Sequence, residues 1–171
     1  MSELEAQLEK ANRLSAITQQ IGFSLWQLQE LEGVCATYYV LVEEAKFGMG
    51  EEAGNKLEEN ARKKTFGATI HKLVKAGLLT EEVEERFKKL LSERNWLVHS
   101  SRASSRNAIH SDSHMLALLE RLRQISEEAL SLLKHVGALT EAYVKKYGVS
   151  EEFIEKKSKE ILEQWHSTDA I

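Results

Sequence analysis

The sequence predicts an all-α fold, a helical bundle in which long antiparallel helices are flanked by an N-terminal and a C-terminal helix. Three observations predict it. The chain of 171 residues contains no proline, the residue that most strongly interrupts a helix. Short runs of alternating apolar and polar residues, which are typical of β-strands, are missing. Apolar residues instead recur every three or four positions over long stretches, which indicates amphipathic helices.

We expect a single domain over residues 1–171, because domains cluster near 100–150 residues and no linker or internal repeat divides this chain. The bundle core is expected over about 22–147, with flanking helices at about 1–20 and 150–166. A composition of 42% apolar and 29% charged residues is too apolar for a disordered chain.

Glycines and polar clusters set the boundaries of the predicted helices. The helices are expected near 3–20, 23–47, 51–62, 65–76, 80–100, 112–147 and 150–166. Thr80 and Ser150 stand at N-cap positions, and each precedes two glutamates that suit the positive end of a helix dipole. Gly77 and Gly148 stand where the preceding helices are expected to stop, and Gly22 separates the first two helices.

The predicted helix 112–147 carries the clearest apolar stripe. Its members alternate by three and four positions: Met115, Leu118, Leu122, Ile125, Ala129, Leu132, Val136, Leu139 and Tyr143. Leu119 and Leu133 widen this stripe, which favours a bundle over a two-stranded coil. The helix 23–47 is expected to supply the partner face, from Phe23, Trp26, Leu31, Val34, Cys35, Tyr38 and Val42.

The charge of the chain is uneven. Its net charge of −4 argues against wholesale electrostatic capture of nucleic acid. From Arg94 to Ser111, however, the chain holds three arginines and two histidines and no acidic residue, directly after a segment rich in glutamate. A charge run of this kind is typical of a solvated face as well as of a binding surface.

The helix near 80–100 carries the chemistry of this basic segment. At about 100° per residue, Val83, Leu90, Leu91 and Val98 fall within about 60° of Phe87. Arg94 falls inside this apolar stripe, where a charge needs a partner. Asn95, His99 and Arg102 follow as a polar strip along the flank of the stripe, and Trp96 is expected on the opposite side.

This set of side chains suits a phosphodiester. Arginine binds a phosphate with a planar fork and stabilises charge that develops in the transition state. Histidine titrates near neutral pH and can act as a general acid or base. A structural interpretation stays open from the residues alone: Arg94 would pair with a core glutamate, and His99 would end a helix at the favourable end of its dipole.

The segment from Glu93 to His99 resembles the R-x4-6-H signature of HEPN domains, in which a polar residue, commonly asparagine, often follows the arginine. The segment from Thr65 to Ile70, with Leu73, also resembles a bacterial HEPN-like group. The resemblance extends over about 22–147.

The resemblance implies a helical bundle that forms a homodimer, with the two signature helices facing each other across a cleft. It implies a metal-independent endoribonuclease of the toxin–antitoxin, abortive-infection or antiviral kind, which leaves a 2′,3′-cyclic phosphate. Arg94 and His99 would be the catalytic pair, with Asn95 as a supporting residue, and Arg102 and Arg106 would bind RNA. The implied partners are RNA or a nucleotide, a second copy of the chain and an antitoxin-type protein.

The family also contains members that have lost catalysis. The alternative is therefore a non-catalytic helical module that binds a nucleotide, RNA or a protein partner. A third interpretation is a structural subunit in which Arg94 is neutralised within the core. Ser101 stands where some toxins of the family carry a tyrosine, so regulation through modification of that tyrosine is not expected.

Cofactors, metal ions and membranes are not expected. The longest apolar run, Val34 to Val42, has nine residues, and about 20 are needed to span a bilayer. The polar start of the chain contains no apolar signal core, which predicts a cytoplasmic protein. Cys35 is expected as a buried thiol, and His110 and His114 lack further ligands for a metal site.

Overall fold

The computed structural model describes residues 2–166, and these residues form a bundle of seven α-helices without a strand. The helices are α1 (Glu3–Tyr39), α2 (Glu51–Arg62), α3 (Phe66–Lys75), α4 (Glu81–His99), α5 (Ser101–Ser104), α6 (Asp112–Lys146) and α7 (Glu151–His166). A π-helical turn, Val40–Glu44, extends α1, and a 3₁₀ turn, Arg106–Ile109, precedes α6. The prediction of an all-α bundle is confirmed.

Several predicted helix ends are confirmed by their caps. The backbone N–H of Val83 donates to Thr80 Oγ1 at 3.4 Å, and that of Phe153 donates to Ser150 Oγ at 3.2 Å. Gly77 and Gly148 have φ values of +69° and +89°, the left-handed conformation that glycine adopts after a helix. The polar stretch before α6 differs from expectation, because it contains α5 and the 3₁₀ turn.

The break predicted at Gly22 is wrong. The helix α1 runs without interruption for 37 residues, so the expected separate N-terminal helix is the first half of α1. A glycine within a helix costs only about 1 kcal/mol relative to alanine. Packing of α1 along α6 outweighs this cost, because the neighbouring Ser24 is fully buried and its Oγ contacts Ser126 Oγ at 2.9 Å.

The two longest helices, α1 and α6, run parallel, so the expected antiparallel arrangement is wrong for this pair. Near their starts, Arg13 forms an ion pair with Asp112 at 2.7 Å. Further along, Ser24 Oγ lies 3.2 Å from the carbonyl oxygen of Leu122. Residue numbers thus rise together along both helices.

The parallel arrangement follows from the long connection between the two helices. The helices α2, α3 and α4 lie between them in the chain and carry it back to the starting end of the bundle. The helix α4 runs antiparallel to α6, because Arg86 pairs with Glu128 while Glu93 pairs with Arg121, both at 2.7 Å. The antiparallel neighbour of α6 is therefore α4, whereas the sequence predicted the helix 23–47 as its partner face.

The core lies between α1, α3, α4 and α6. The predicted stripe of α6 is confirmed, with its central members buried and Met115, Leu139 and Tyr143 half-buried at its ends. Leu31, Cys35 and Tyr38 of α1 are buried as predicted. Phe23 and Trp26 are instead 50% and 62% exposed, because Ser24 takes the position against α6 and turns these two rings away from it.

The helix α4 packs its Phe87 ring edge-on against Phe66 of α3, with the ring centroids 6.1 Å apart. Its buried residues include Val83, Phe87 and Leu90, as predicted. Val98 is 46% exposed, contrary to the prediction, and Leu97 is buried in its place. Among the described residues, no helix combines the length and the apolar character that a bilayer crossing needs.

Candidate functional site

The last two turns of α4 carry the three residues predicted to be catalytic. The helix ends at His99, and its cap residue Ser100 donates its backbone N–H to the carbonyl oxygen of Trp96 at 2.8 Å. Arg94, Asn95 and His99 therefore belong to one rigid element, which Leu90 and Leu97 anchor in the core on the side that also carries Arg94. A site on a packed helix is held more firmly than one on a loop.

Arg94 forms an ion pair with Glu32 of α1, with Nε 3.4 Å from Oε1. The two side chains are 31% and 28% exposed, so the pair lies at the edge of the core. The expectation that Arg94 needs a carboxylate partner is thus confirmed. Burial raises the pKa of the Glu32 carboxyl, and the charge of Arg94 and its hydrogen bond offset this effect only in part.

Asn95 and His99 are exposed, and neither has a hydrogen-bond partner within the part of the chain that the structure describes. At about 100° per residue, His99 lies about 140° around the helix from Arg94 and about 7.5 Å along its axis. One protomer therefore presents Arg94 and His99 on different sides of α4. A single phosphate that touches both groups needs either a long reach across α4 or a second protomer.

Trp96 has a structural role that sequence reasoning missed. Its Nε1 donates to Ser104 Oγ at 3.0 Å, which ties the end of α4 to α5. The guanidinium carbon of Arg121 lies 3.5 Å from the centre of the Trp96 ring. Arg121 also donates two hydrogen bonds, of 2.7 and 3.1 Å, to the carboxylate of Glu93. This stack holds the end of α4 against α6. Arg121 belongs to another helix, α6, so local spacing gave no signal of its contact with Trp96.

The structure places Arg102 and Arg106 at one groove of about 410 Å³. The other residues that line the groove come from α1 and from the segment before α6: Leu14, Ile17, Thr18, Ile21, Ser105 and Ile109. Both arginine side chains belong to exposed residues. The two residues predicted to bind RNA are thus brought together, beside a largely apolar floor.

A second polar cluster joins α1 to α2. Arg62 forms an ion pair with Glu58 at 2.7 Å, and Thr37 Oγ1 donates to the same carboxylate at 2.8 Å. Burial alone would raise the pKa of Glu58, but the hydrogen bonds from Arg62 and Thr37 and the charge of Arg62 together lower it. A Cβ added at Gly33 would lie 2.7 Å from Arg62 Nη1, so this glycine lets the guanidinium lie against α1. The cluster is internally paired and borders a cavity of only about 110 Å³.

The remaining chemical candidates are structural. Cys35 is buried as predicted, and burial raises the pKa of its thiol. A thiol in this state is a poor nucleophile. His114 Nδ1 lies 2.9 Å from Ser111 Oγ near the start of α6. Within the described part of the chain, no three histidine, cysteine, aspartate or glutamate residues are grouped so that they could hold a metal ion.

The arrangement as a whole offers an arginine braced by a carboxylate, an exposed amide and an exposed imidazole on one helix, and two further arginines at a groove. Such a set can bind an anion and can move a proton near neutral pH. Comparison of the chain with protein-family models, with curated proteins and with solved structures yields no match.

Proposed function

We propose that the protein is a HEPN-like, metal-independent endoribonuclease that cleaves RNA at a cleft between two copies of the chain. The observation that carries the proposal is the state of the α4 terminus. Arg94 is held in place by Glu32, whereas Asn95 and His99 are exposed without partners in the described chain. Two exposed polar side chains beside a partly exposed arginine on a rigid helix are available to a ligand.

In the proposed reaction, the 2′-oxygen of a ribose attacks the neighbouring phosphorus and the 5′-oxygen of the next nucleotide leaves. His99 moves a proton, either from the 2′-hydroxyl or to the leaving oxygen. Arg94 holds the scissile phosphate and stabilises the charge that develops on its oxygens. The products are a 2′,3′-cyclic phosphate end and a free 5′-hydroxyl end.

In the proposed dimer, the two copies together supply an arginine and a histidine that reach the same phosphate. Because Arg94 and His99 lie about 140° apart around α4, a symmetric contact between two α4 helices would set the arginine of one copy beside the histidine of the other. A toxin or phage-defence setting with an antitoxin-type partner follows from the family resemblance.

A second candidate is a non-catalytic helical module that binds a nucleotide, RNA or a protein partner. The ion pair between Arg94 and Glu32 favours it, because this pair satisfies the arginine without any phosphate. In this case Arg94 stabilises the packing of α4 on α1, and the exposed residues of the α4 terminus serve only for binding.

Incubation of wild type and His99→Ala with mixed RNA in EDTA tests the proposal. We expect the wild type to produce fragments with cyclic phosphate ends and His99→Ala to lose at least about 100-fold in rate, since a general acid or base contributes about 10²–10⁴-fold. His71→Ala is the matched control, because His71 is an exposed histidine on α3.

The outcomes separate the two candidates. Equal cleavage by wild type and His99→Ala would contradict the role of His99 and indicate a contaminating nuclease. Intact RNA with a folded wild type at every protein concentration would favour the binding module, and RNA retention measured by gel shift would then decide whether RNA is its ligand.

A further inference from the structure

Two arginines differ from the six others in having no carboxylate partner among residues 2–166. The six paired arginines are Arg13, Arg62, Arg86, Arg94, Arg121 and Arg123. Arg102 and Arg106 form neither an ion pair nor a hydrogen bond with any described residue. In a chain with 27 acidic residues and 23 basic ones, two neighbouring unpaired guanidinium groups indicate a surface open to an external anion.

These two arginines border an apolar groove of about 410 Å³ between α1 and the segment that precedes α6. Half of its eight lining residues are aliphatic: Leu14, Ile17, Ile21 and Ile109. Ile17 is almost fully buried at the base, whereas Leu14 is 47% exposed at the rim. The volume lies within the range of about 300–1,000 Å³ that small-molecule sites occupy.

The other polar groups of the groove are already bonded within the chain. Thr18 Oγ1 lies 3.0 Å from the carbonyl oxygens of Leu14 and Ser15. Ser105 Oγ donates to the carbonyl oxygen of Ser101. Among the described residues, those that line the groove include no acidic and no aromatic one. The guanidinium groups of Arg102 and Arg106 are therefore the polar groups left for a ligand.

We propose that this groove binds a small amphipathic organic acid, with its carboxylate or phosphate head on Arg102 and Arg106 and its hydrocarbon body against Leu14, Ile21 and Ile109. The guanidinium fork matches the geometry of either head group. The aliphatic floor matches the body, since burial of apolar surface drives binding there.

The lining argues against a nucleotide of RNA as the occupant. Proteins stack exposed bases on aromatic rings, and none of the described residues that line this groove is aromatic. The phosphates of an RNA backbone would bind the two arginines but would leave the aliphatic lining of the groove without a contact. The proposal also stands apart from RNA cleavage, because it concerns binding at Arg102 and Arg106 and does not involve His99.

Titration of the full ¹⁵N-labelled chain tests the proposal with four probes. They are octyl phosphate below its micelle threshold, inorganic phosphate as the head alone, octanol as the body alone, and a uridine hexanucleotide. We expect octyl phosphate to shift the backbone amides of Thr18 and Ser105 and to bind at least about 10-fold more tightly than the other three probes, because it alone satisfies both parts of the groove.

Two variants test the arginines and the aliphatic lining of the groove separately. Arg102→Gln with Arg106→Gln is expected to weaken octyl phosphate binding at least about 10-fold. Leu14→Asn is expected to weaken it about 3- to 10-fold and to leave inorganic phosphate binding unchanged. Arg123→Gln and Leu130→Asn, which change an exposed arginine and an exposed leucine of α6, are the matched controls. Circular dichroism checks that each variant is folded.

Three results would overturn the proposal. The first is equal affinity for octyl phosphate and inorganic phosphate, and the second is an unchanged affinity for octyl phosphate in Leu14→Asn. The third is that the uridine hexanucleotide binds more tightly than octyl phosphate and displaces it from the groove. This last result would assign the two arginines to RNA, as the resemblance implies.

Discussion

At the scale of single residues, partners distant in the chain decide what each functional side chain can do. The spacing of α4 predicted that Arg94 lies on an apolar face and needs a carboxylate. It could not identify Glu32, because the pairing depends on how α1 packs against α4. The same holds for Trp96, whose contact with Arg121 exists only because α4 and α6 are antiparallel. Local periodicity thus predicted the need for a partner and not its identity.

The first prediction concerns Glu32, whose folded-state pKa is raised above its ordinary value of 4.5, mainly by burial. A raised carboxyl pKa means that the folded state binds the proton more tightly than the unfolded state. The stabilisation from this group is therefore complete below the ordinary pKa and is lost as the pH rises through the raised folded-state pKa. We expect the free energy of unfolding of the wild type, relative to that of Glu32→Gln, to fall as the pH rises through this window.

Urea unfolding of both proteins between pH 3 and pH 8, at roughly half-unit steps, measures this difference. Titration of the other carboxylates cancels in the comparison. A relative stability that rises with pH would show instead that the ion pair with Arg94 outweighs burial, with the pKa of Glu32 lowered in the folded state. Glu155→Gln, at an exposed position on α7 that forms no ion pair with a described residue, is the control for loss of a carboxylate.

At the scale of helices, the helix ends predicted from caps and glycines agree with the structure better than the buried faces predicted from the apolar pattern. Thr80, Ser150, Gly77 and Gly148 mark helix ends through local hydrogen bonds or backbone conformation, which the neighbouring sequence determines. The break at Gly22 was predicted from the same residue type, but an internal glycine has only a weak effect that packing overrides. Three residues were assigned to the core although their sides of the helices face solvent: Phe23, Trp26 and Val98.

The second prediction follows from the contrast between two glycines. Gly22 lies within the continuous α1, with no neighbouring atom within 4 Å of an added Cβ. Gly22→Ala is therefore expected to stabilise the protein by about 0.5–1 kcal/mol. Gly77 has the same open space but a φ of +69°, so Gly77→Ala is expected to destabilise the protein by about 1 kcal/mol. Denaturant unfolding of both variants measures the two effects, and a destabilising Gly22→Ala would contradict the uninterrupted helix.

At the scale of the whole molecule, the direction of the long helices is the property that sequence patterns did not reveal. An apolar stripe shows that a helix has a buried side, but the same stripe serves a parallel or an antiparallel neighbour. The connection decides between them: four helices, α2 to α5, lie between α1 and α6, and α4 returns the chain, so α1 and α6 start at the same end. As a result α4 lies antiparallel to both, and its last turns contact the second half of α1 through the ion pair between Arg94 and Glu32.

The last prediction tests whether two copies share the candidate site. If the arginine of one copy acts with the histidine of the other, a mixed dimer of Arg94→Ala and His99→Ala contains one intact pair, although each variant alone is inactive. Refolding an equal mixture makes half of the dimers mixed, each with one of two sites intact. We therefore expect about a quarter of the wild-type cleavage rate. Product analysis in EDTA measures the cleavage rate of the mixture. His99→Ala refolded alone in the same way is the control. A mixture as inactive as its components would place both catalytic residues of a site on the same chain, or would favour the non-catalytic module.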